Sequence, residues 1–133
     1  MEPQQRAGSE PISRVLVVDD NEDMLESMRI LLERAGYQVE VASNGAQAVL
    51  VQRERPAHVL ITDIFMPEKN GIELIDHFKQ EFPEVRIIAM SGGGELVKRD
   101  YLDRTELFGA DSTLRKPFEP ENLREALRRV LST

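Results

Sequence analysis

Short apolar runs alternate with amphipathic segments along most of the chain, and this alternation constrains the fold more than any other feature. Runs rich in valine, isoleucine and leucine predict strands at residues 14–18, 39–42, 58–62, 86–90 and 112–114. Strict strand–helix alternation is typical of a parallel sheet covered by helices on both faces, with right-handed crossovers. The sequence therefore predicts one α/β domain at residues 13–133, preceded by a flexible polar tail at residues 1–12.

Apolar residues recur at helical spacing after the first and second strands. The first helix is expected to end before Gly36, because glycine suits the position just past a helix C-terminus. The second is expected to begin after Asn44, which is a plausible N-cap, and to end at Pro56. Ala46, Val49 and Leu50 are the residues that we assign to the apolar stripe of this second helix.

Two further helices are clearly predicted in the second half of the chain, and a third segment between them is predicted only weakly. Residues 71–82 and the segment that begins at Pro120 both show an apolar stripe, and proline suits a first helical position. Glu125 and Arg129 are spaced to pair across one turn. Residues 95–109 have only a weak helical period, which predicts an irregular helix.

Composition excludes several function classes. A net charge of −7 disfavours a nucleic-acid partner, because phosphate backbones bind to basic surfaces. The absence of cysteine excludes disulfides, thiolate catalysis and cysteine–zinc sites. No apolar run approaches the roughly 20 residues that span a bilayer, and the first residues do not resemble a signal peptide. We therefore expect a cytoplasmic protein without membrane contact.

Polar side chains with the chemistry of phosphoryl transfer lie at the ends of four predicted strands. They are two acids after the first strand, one after the third, a hydroxyl after the fourth and an ammonium after the fifth: Asp19, Asp20, Asp63, Ser91 and Lys116. An open parallel sheet binds its ligands at the carboxyl ends of its strands. The pattern therefore predicts that these groups converge on one crevice.

Each group alone also has an ordinary explanation. The acidic pair at 19–20 fits a solvated turn in which Asn21 caps the next helix, and Asp63 fits the start of a turn. Ser91 and the three glycines after it fit a flexible loop. An exposed position is the usual one for a lysine such as Lys116.

Taken together, the same groups describe a metal site with a nucleophile. A cation would remove the repulsion between neighbouring carboxylates, and a hard oxygen ligand set favours Mg²⁺ or Mn²⁺ over zinc. The Asp63 carboxylate would attack a phosphoryl group and form an acyl phosphate. Lys116 would pair with carboxylate and phosphate, and a cis Lys116–Pro117 bond would aim its ammonium inward.

The joint pattern closely resembles a response-regulator receiver domain of the chemotaxis type, over about residues 13–131. The resemblance rests on the acidic pair, the segment around the third-strand acid with the Asn-Gly pair behind it, the hydroxyl, the Gly-Ala-Asp tripeptide and the Lys-Pro-Phe tripeptide. In order, these are Asp19-Asp20, residues 63–67 with Asn70-Gly71, Ser91, residues 109–111 and residues 116–118.

This resemblance implies a flavodoxin-like fold with strand order 2-1-3-4-5. It implies that Asp63 is phosphorylated by a histidine kinase or a histidine phosphotransfer protein, and that the change alters binding to an unknown downstream protein. The implied Mg²⁺ ligands are Asp20, Asp63, the backbone carbonyl of Phe65 and, through water, Asp19. The implied phosphoryl contacts are Ser91 and Lys116.

Three features depart from the family pattern. Thr113 stands where these domains usually carry a Tyr or Phe that rotates inward on activation. Lys69 replaces a residue that is often apolar, and the stretch from Ser91 to Lys116 is longer than usual. Signalling would therefore use a different coupling, through the glycines at 92–94 and the weak helix after them.

Other functions remain compatible with the sequence. One is an interaction module that works without phosphorylation, and another is an aspartate-nucleophile phosphohydrolase. The latter normally carries its nucleophile after the first strand, and a nucleotide or flavin site would need a glycine-rich loop there. We expect no enzymatic activity beyond self-phosphorylation and dephosphorylation. The sequence leaves open whether the domain stands alone or belongs to a longer protein.

Overall fold

A computed structural model of the chain describes residues 13–64, 71–91 and 109–132. The predicted tail at 1–12 and residues 95–108 of the helix predicted at 95–109 lie outside these residues. The described residues form five strands, β1 Arg14–Val18, β2 Gln38–Ala42, β3 Val59–Asp63, β4 Arg86–Ser91 and β5 Ser112–Arg115. They also form four helices, α1 Glu22–Arg34, α2 Gly45–Glu54, α3 Gly71–Glu81 and α4 Pro120–Leu131.

The five strands make one parallel sheet in the order β2-β1-β3-β4-β5, as predicted. Val18 at the end of β1 is in register with Thr62 near the end of β3, and Asp63 is in register with Met90. Ser91 is in register with Arg115 on β5. The carboxyl ends of β1, β3, β4 and β5 therefore meet at one edge of the sheet.

Three strands, β3, β4 and β5, run one residue further at their C-terminal ends than the sequence predicted. Asp63 and Ser91 are the last residues of β3 and β4 instead of the first residues after them. Backbone hydrogen bonds explain the difference, because the Ile64 N–H donates to the Met90 carbonyl at 2.9 Å. The Lys116 N–H likewise donates to the Ser91 carbonyl at 2.7 Å. Both polar side chains thus project from backbone that is hydrogen-bonded to the neighbouring strand or its continuation.

The sheet separates two apolar layers. The first layer packs α2 and α3 against one face and includes Leu16, Leu60, Ile75, Phe78 and Ile87. The second layer packs α1 and α4 against the other face and includes Val17, Leu32, Ile61, Met90 and Leu127. Burying a large aliphatic or aromatic side chain contributes roughly 1.5–3 kcal/mol, so both layers stabilise the sheet that carries the polar edge.

Only part of the apolar stripe predicted for α2 is buried. Val49 lies in the first layer, whereas Ala46 is exposed and Leu50 is 63% exposed. The buried face instead uses Ala48 and the amide of Gln52. Residues 48–51 of this helix are all apolar, and a continuous apolar run points to most sides of a helix, which is why the sequence misplaced this face.

Local capping sets the helix boundaries as predicted. The side chains of Asn21 and Asn44 accept hydrogen bonds from the first turns of α1 and α2. Gly36 follows α1 with φ 101°, a conformation that favours glycine. Glu125 contacts Arg129 at 3.5 Å on the exposed face of α4. Among the described residues, no helix has the length and apolar character needed to cross a bilayer.

Candidate phosphoryl-transfer site

Three carboxylates meet at the carboxyl edge of the sheet. Asp19 and Asp20 follow β1 and Asp63 ends β3, and each offers an oxygen within 4.8 Å of the other two. Asp19 and Asp63 are buried, with 1% and 7% of their surfaces exposed, whereas Asp20 is exposed. The adjacent positions of β1 and β3 in the sheet bring these residues together, as predicted from the strand ends.

Both oxygens of Asp19 have partners. Oδ1 accepts the backbone N–H of Asn21 at 3.0 Å, and Oδ2 accepts the Lys116 ammonium at 2.8 Å. Asn21 in turn accepts the backbone N–H of Met24 at 3.0 Å. The capped turn and the polar site are therefore parts of one arrangement, in which the start of α1 holds the first acid in place.

The Lys116 ammonium contacts two of the three acids. Nζ lies 2.8 Å from Asp19 Oδ2 and 3.3 Å from Asp63 Oδ2, and the Lys116–Pro117 bond is cis. Burial lowers the pKa of Lys116 more than any other single influence, yet the hydrogen bonds and attraction of the two carboxylates outweigh it, so the pKa is raised. The side chain is thus a fixed cation at neutral pH.

The Ser91 hydroxyl is buried at the same edge. Its residue is 0% exposed, and Oγ has no hydrogen-bond partner within the described part of the chain. Buried hydroxyl groups are nearly always paired, so an unpaired one calls for an explanation. Its position at the end of β4, next to the strand that ends in Asp63, suits a hydroxyl that acts on a ligand.

Comparison with protein families decides what this arrangement is. The model of the response regulator receiver domain family matches residues 15–128, which is most of the chain. The chain belongs to this family. The fold and the strand-end acids derived above are therefore those of a receiver domain.

Individual relatives agree with this assignment. The receiver domain is 33% identical over 119 residues to sporulation initiation phosphotransferase F of Bacillus subtilis, which covers 89% of this chain and 93% of the relative. It is 35% identical over 118 residues to chemotaxis protein CheY of Thermotoga maritima, covering 88% and 96%. It spans about half the length of several transcriptional regulators that it also matches.

Solved structures give the same result. The structure of Vibrio cholerae chemotaxis protein CheY4, crystallised at low pH, superimposes with a TM-score of 0.81 at 29% sequence identity. The similarity covers 90% of this receiver domain and 99% of that chain. The flavodoxin-like architecture predicted from the sequence is thereby confirmed.

Three residues singled out in the sequence, Phe65, Lys69 and Thr113, are not among the described side chains that meet at this site. Phe65 and Lys69 lie outside the described residues, so the predicted carbonyl ligand and the loop charge stay predictions. Thr113 is half-buried on β5 and lines a pocket of about 310 Å³ with Phe118 and Ala126, on the side of α4. The receiver domain therefore has a short polar side chain where an aromatic ring would occupy more space.

Two contacts around Asp63 were not predicted. The Thr62 hydroxyl donates to the Asp63 carbonyl at 2.9 Å, and the N–H of Gly71 donates to the Ile64 carbonyl at 2.7 Å. A threonine inside an otherwise apolar buried strand is a signal that the sequence does offer. The position of Gly71 against the end of β3 depends on tertiary packing, which no local pattern reports.

The donor set of the receiver domain fits a divalent cation. Three carboxylates and one ammonium leave a formal charge of −2 at the edge of the sheet, which one divalent ion would balance. All the side-chain donors are oxygens, the ligands preferred by Mg²⁺ and Mn²⁺. Asp20 is the most accessible of the three, and Asp63 is shared between the cation site and Lys116.

Proposed function

We propose that this receiver domain is the phosphoacceptor of a two-component phosphorelay. Asp63 accepts a phosphoryl group from the phosphohistidine of a histidine kinase or a histidine phosphotransfer protein, in a Mg²⁺-dependent step. One observation carries this proposal, which is the contact of the Lys116 ammonium with both Asp19 and Asp63 beside the third acid, Asp20. The names of its relatives, a phosphotransferase and a chemotaxis protein, agree with it.

The proposed chemistry needs few groups. An Asp63 carboxylate oxygen attacks phosphorus and forms an O–P bond while the P–N bond of phosphohistidine breaks, and the electron pair stays on the imidazole nitrogen. Lys116 holds positive charge beside the reacting carboxylate, and the Ser91 hydroxyl donates to a phosphoryl oxygen. A cation held by Asp19, Asp20 and Asp63, bound as Mg²⁺, supplies charge neutralisation of the phosphoryl oxygens.

The same site suits a switch. Two states that exchange a downstream partner must differ by a few kcal/mol. A new hydrogen bond from the Ser91 hydroxyl, which has no partner among the described residues, would supply such a difference without an aromatic residue at position 113, and we expect residues 92–108 to carry the signal. Amide NMR shifts at 92–108 that do not change with phosphorylation or a phosphate mimic would contradict this coupling.

The proposal also covers location and partners. We place the protein in the cytoplasm, with a histidine-containing phosphodonor and a downstream protein as its partners, and without nucleic-acid or membrane contact. Beyond its own phosphorylation and dephosphorylation we assign it no catalytic turnover. A net charge of −7 supports protein partners over nucleic acid.

Intact mass spectrometry after incubation with acetyl phosphate and Mg²⁺ tests the assignment of Asp63. The wild type should gain one phosphoryl group, and the Asp63→Asn variant should gain none. Asp76→Asn is a matched control, because Asp76 is an exposed acid on α3 that bonds Gln80. It should label like the wild type, and the labelling should disappear in EDTA.

Two outcomes would contradict the proposal. Equal labelling of the wild type and Asp63→Asn would show that a residue other than Asp63 accepts the phosphoryl group. Steady release of phosphate from small phosphate esters over many turnovers would instead favour a phosphohydrolase.

A further inference from the structure

The backbone at Asp63 and Ile64 is held on several sides. The Thr62 hydroxyl donates to the Asp63 carbonyl at 2.9 Å. The N–H of Ile64 donates to the Met90 carbonyl at 2.9 Å, and the Ile64 carbonyl accepts the Gly71 N–H at 2.7 Å. The backbone beside the candidate phosphoacceptor is therefore fixed by contacts from its own strand, from β4 and from the start of α3.

Gly71 approaches the peptide unit that joins Asp63 to Ile64 more closely than any residue with a side chain can. A Cβ at Gly71 would lie 2.1 Å from the Asp63 carbonyl oxygen, 2.6 Å from Ile64 Cα and 2.9 Å from the Asp63 carbonyl carbon. All three are backbone atoms, so no flexible side chain can move aside. Any larger residue at 71 must displace the backbone of Asp63, and glycine is required for the approach and not for a positive φ.

Thr62 holds the same peptide unit through a hydrogen bond from its side chain. Its side chain is 0% exposed and lies in a strand whose other members from 59 to 61 are buried apolar residues. The hydroxyl bonds the very carbonyl that Gly71 packs against. A buried hydroxyl that bonds the next residue's carbonyl fixes that peptide plane, and the plane carries the Cα from which the Asp63 carboxylate projects.

We propose that Thr62 and Gly71 are positioning residues for Asp63, which set the direction of its carboxylate for the cation and for the phosphoryl group. The inference rests on the proposed function and deepens it. Neither residue touches the cation or the phosphoryl group; both act through the backbone of Asp63. Loss of a group that orients a metal ligand without binding the metal itself typically weakens metal binding about 10–100-fold.

The test is Mn²⁺ affinity, measured by paramagnetic relaxation of solvent water, together with urea unfolding in EDTA. Thr62→Val keeps the shape and removes the hydroxyl, whereas Thr62→Ser keeps the hydroxyl. Thr62→Val and Gly71→Ala should weaken Mn²⁺ binding about tenfold, and Thr62→Ser should bind like the wild type.

Gly36→Ala is the control for glycine replacement. Gly36 has φ 101° and no atom within 4 Å of a built Cβ, so alanine there strains the backbone far from the site. This variant should unfold at a lower urea concentration and keep the wild-type Mn²⁺ affinity. Such a result separates a positioning effect from a general loss of stability.

The outcomes are distinguishable. If the wild type binds Mn²⁺ and accepts a phosphoryl group, but Thr62→Val and Thr62→Ser bind Mn²⁺ equally, this inference is wrong and the proposed function stands. Should Gly71→Ala fail to fold, the two Thr62 variants decide the question alone. If the wild type binds no Mn²⁺, the proposed function fails and the inference falls with it.

Discussion

The Lys116 ammonium lies closer to Asp19 than to Asp63, at 2.8 Å against 3.3 Å, although 97 residues separate Lys116 from Asp19 in the chain. Asp19 is almost fully buried, and its other oxygen is already used by the Asn21 N–H. Without the ammonium, the carboxylate would keep one hydrogen bond and lose its only counter-charge among the described residues. Lys116 therefore stabilises the fold as well as serving the proposed chemistry.

Replacing Lys116 by methionine should lower the free energy of unfolding by about 3 kcal/mol, because one half of a buried ion pair is left uncompensated. The raised pKa of Lys116 means that its contribution is fully present below pH 10.5 and is lost as the pH rises through the folded-state value. Urea unfolding at pH 7 in EDTA measures the loss.

Added Mg²⁺ should restore part of the stability lost in Lys116→Met, because a divalent cation supplies the missing counter-charge. Arg115→Met is the control, since Arg115 is an exposed neighbour on β5. A variant that is as stable as the wild type in EDTA would show that the pair with Asp19 contributes nothing.

Replacing Ser91 by alanine should leave the free energy of unfolding unchanged or raise it by about 1 kcal/mol, because the hydroxyl is buried without a partner among the described residues. The rate of phosphorylation by acetyl phosphate should fall about tenfold, which is the effect of one hydrogen bond to a charged group. Urea unfolding and intact mass spectrometry check the two effects. A variant that is clearly less stable and labels normally would assign Ser91 a purely structural role.

Arg53 and His77 hold the pKa of Glu81 at about 2, below its usual value of 4.5, chiefly through the hydrogen bond from Arg53. Since the folded-state pKa is lowered, this contact stabilises the fold above about pH 4.5, and the contribution disappears as the pH falls towards 2. In Arg53→Gln the pKa of Glu81 should rise towards 4.5, as followed by NMR titration of its carboxyl carbon. Arg55→Gln should leave it unchanged, because Arg55 pairs with Glu40.

Gln52 is a buried polar side chain with both ends of its amide satisfied. Nε2 donates to the Ala57 carbonyl at 3.2 Å, and Oε1 accepts the Ala57 N–H at 3.0 Å. Gln52→Leu should lower the free energy of unfolding by about 2 kcal/mol, because both backbone groups of Ala57 lose their partners. Leu50→Gln, on the exposed side of the same helix, should have almost no effect in the same urea experiment. A gain in stability for Gln52→Leu would mean that water satisfies Ala57.

The sequence was sufficient to locate most of the polar edge. Asp19, Asp63 and Lys116 come together because parallel strands expose their carboxyl ends on the same side, which strand–helix alternation already implies. Asp63 and Ser91 were placed one residue outside strands that in fact contain them, because the last backbone pairs of a ladder have no local signature. Strand boundaries were therefore less predictable than strand order.

The features that local sequence patterns did not predict depend on how separate helices and strands pack against one another. The preference of Lys116 for Asp19 over Asp63 is a difference of 0.5 Å in side-chain placement, and no spacing in the chain encodes it. The exposure of Leu50 could not be predicted, because the continuous apolar run at 48–51 leaves the direction of the buried face of α2 undetermined. The contact of Gly71 with the Asp63 carbonyl follows from where α3 packs.

The sheet between the two apolar layers acts as a partition. Among the described residues, buried side chains of the first layer, such as Phe78, form a cluster separate from those of the second, such as Leu127, because successive strand residues point to opposite faces. Energetic effects of substitutions add when the sites have no common neighbours. Each half of the interior can consequently be redesigned on its own, and stabilising changes found in one half can be combined directly with those found in the other.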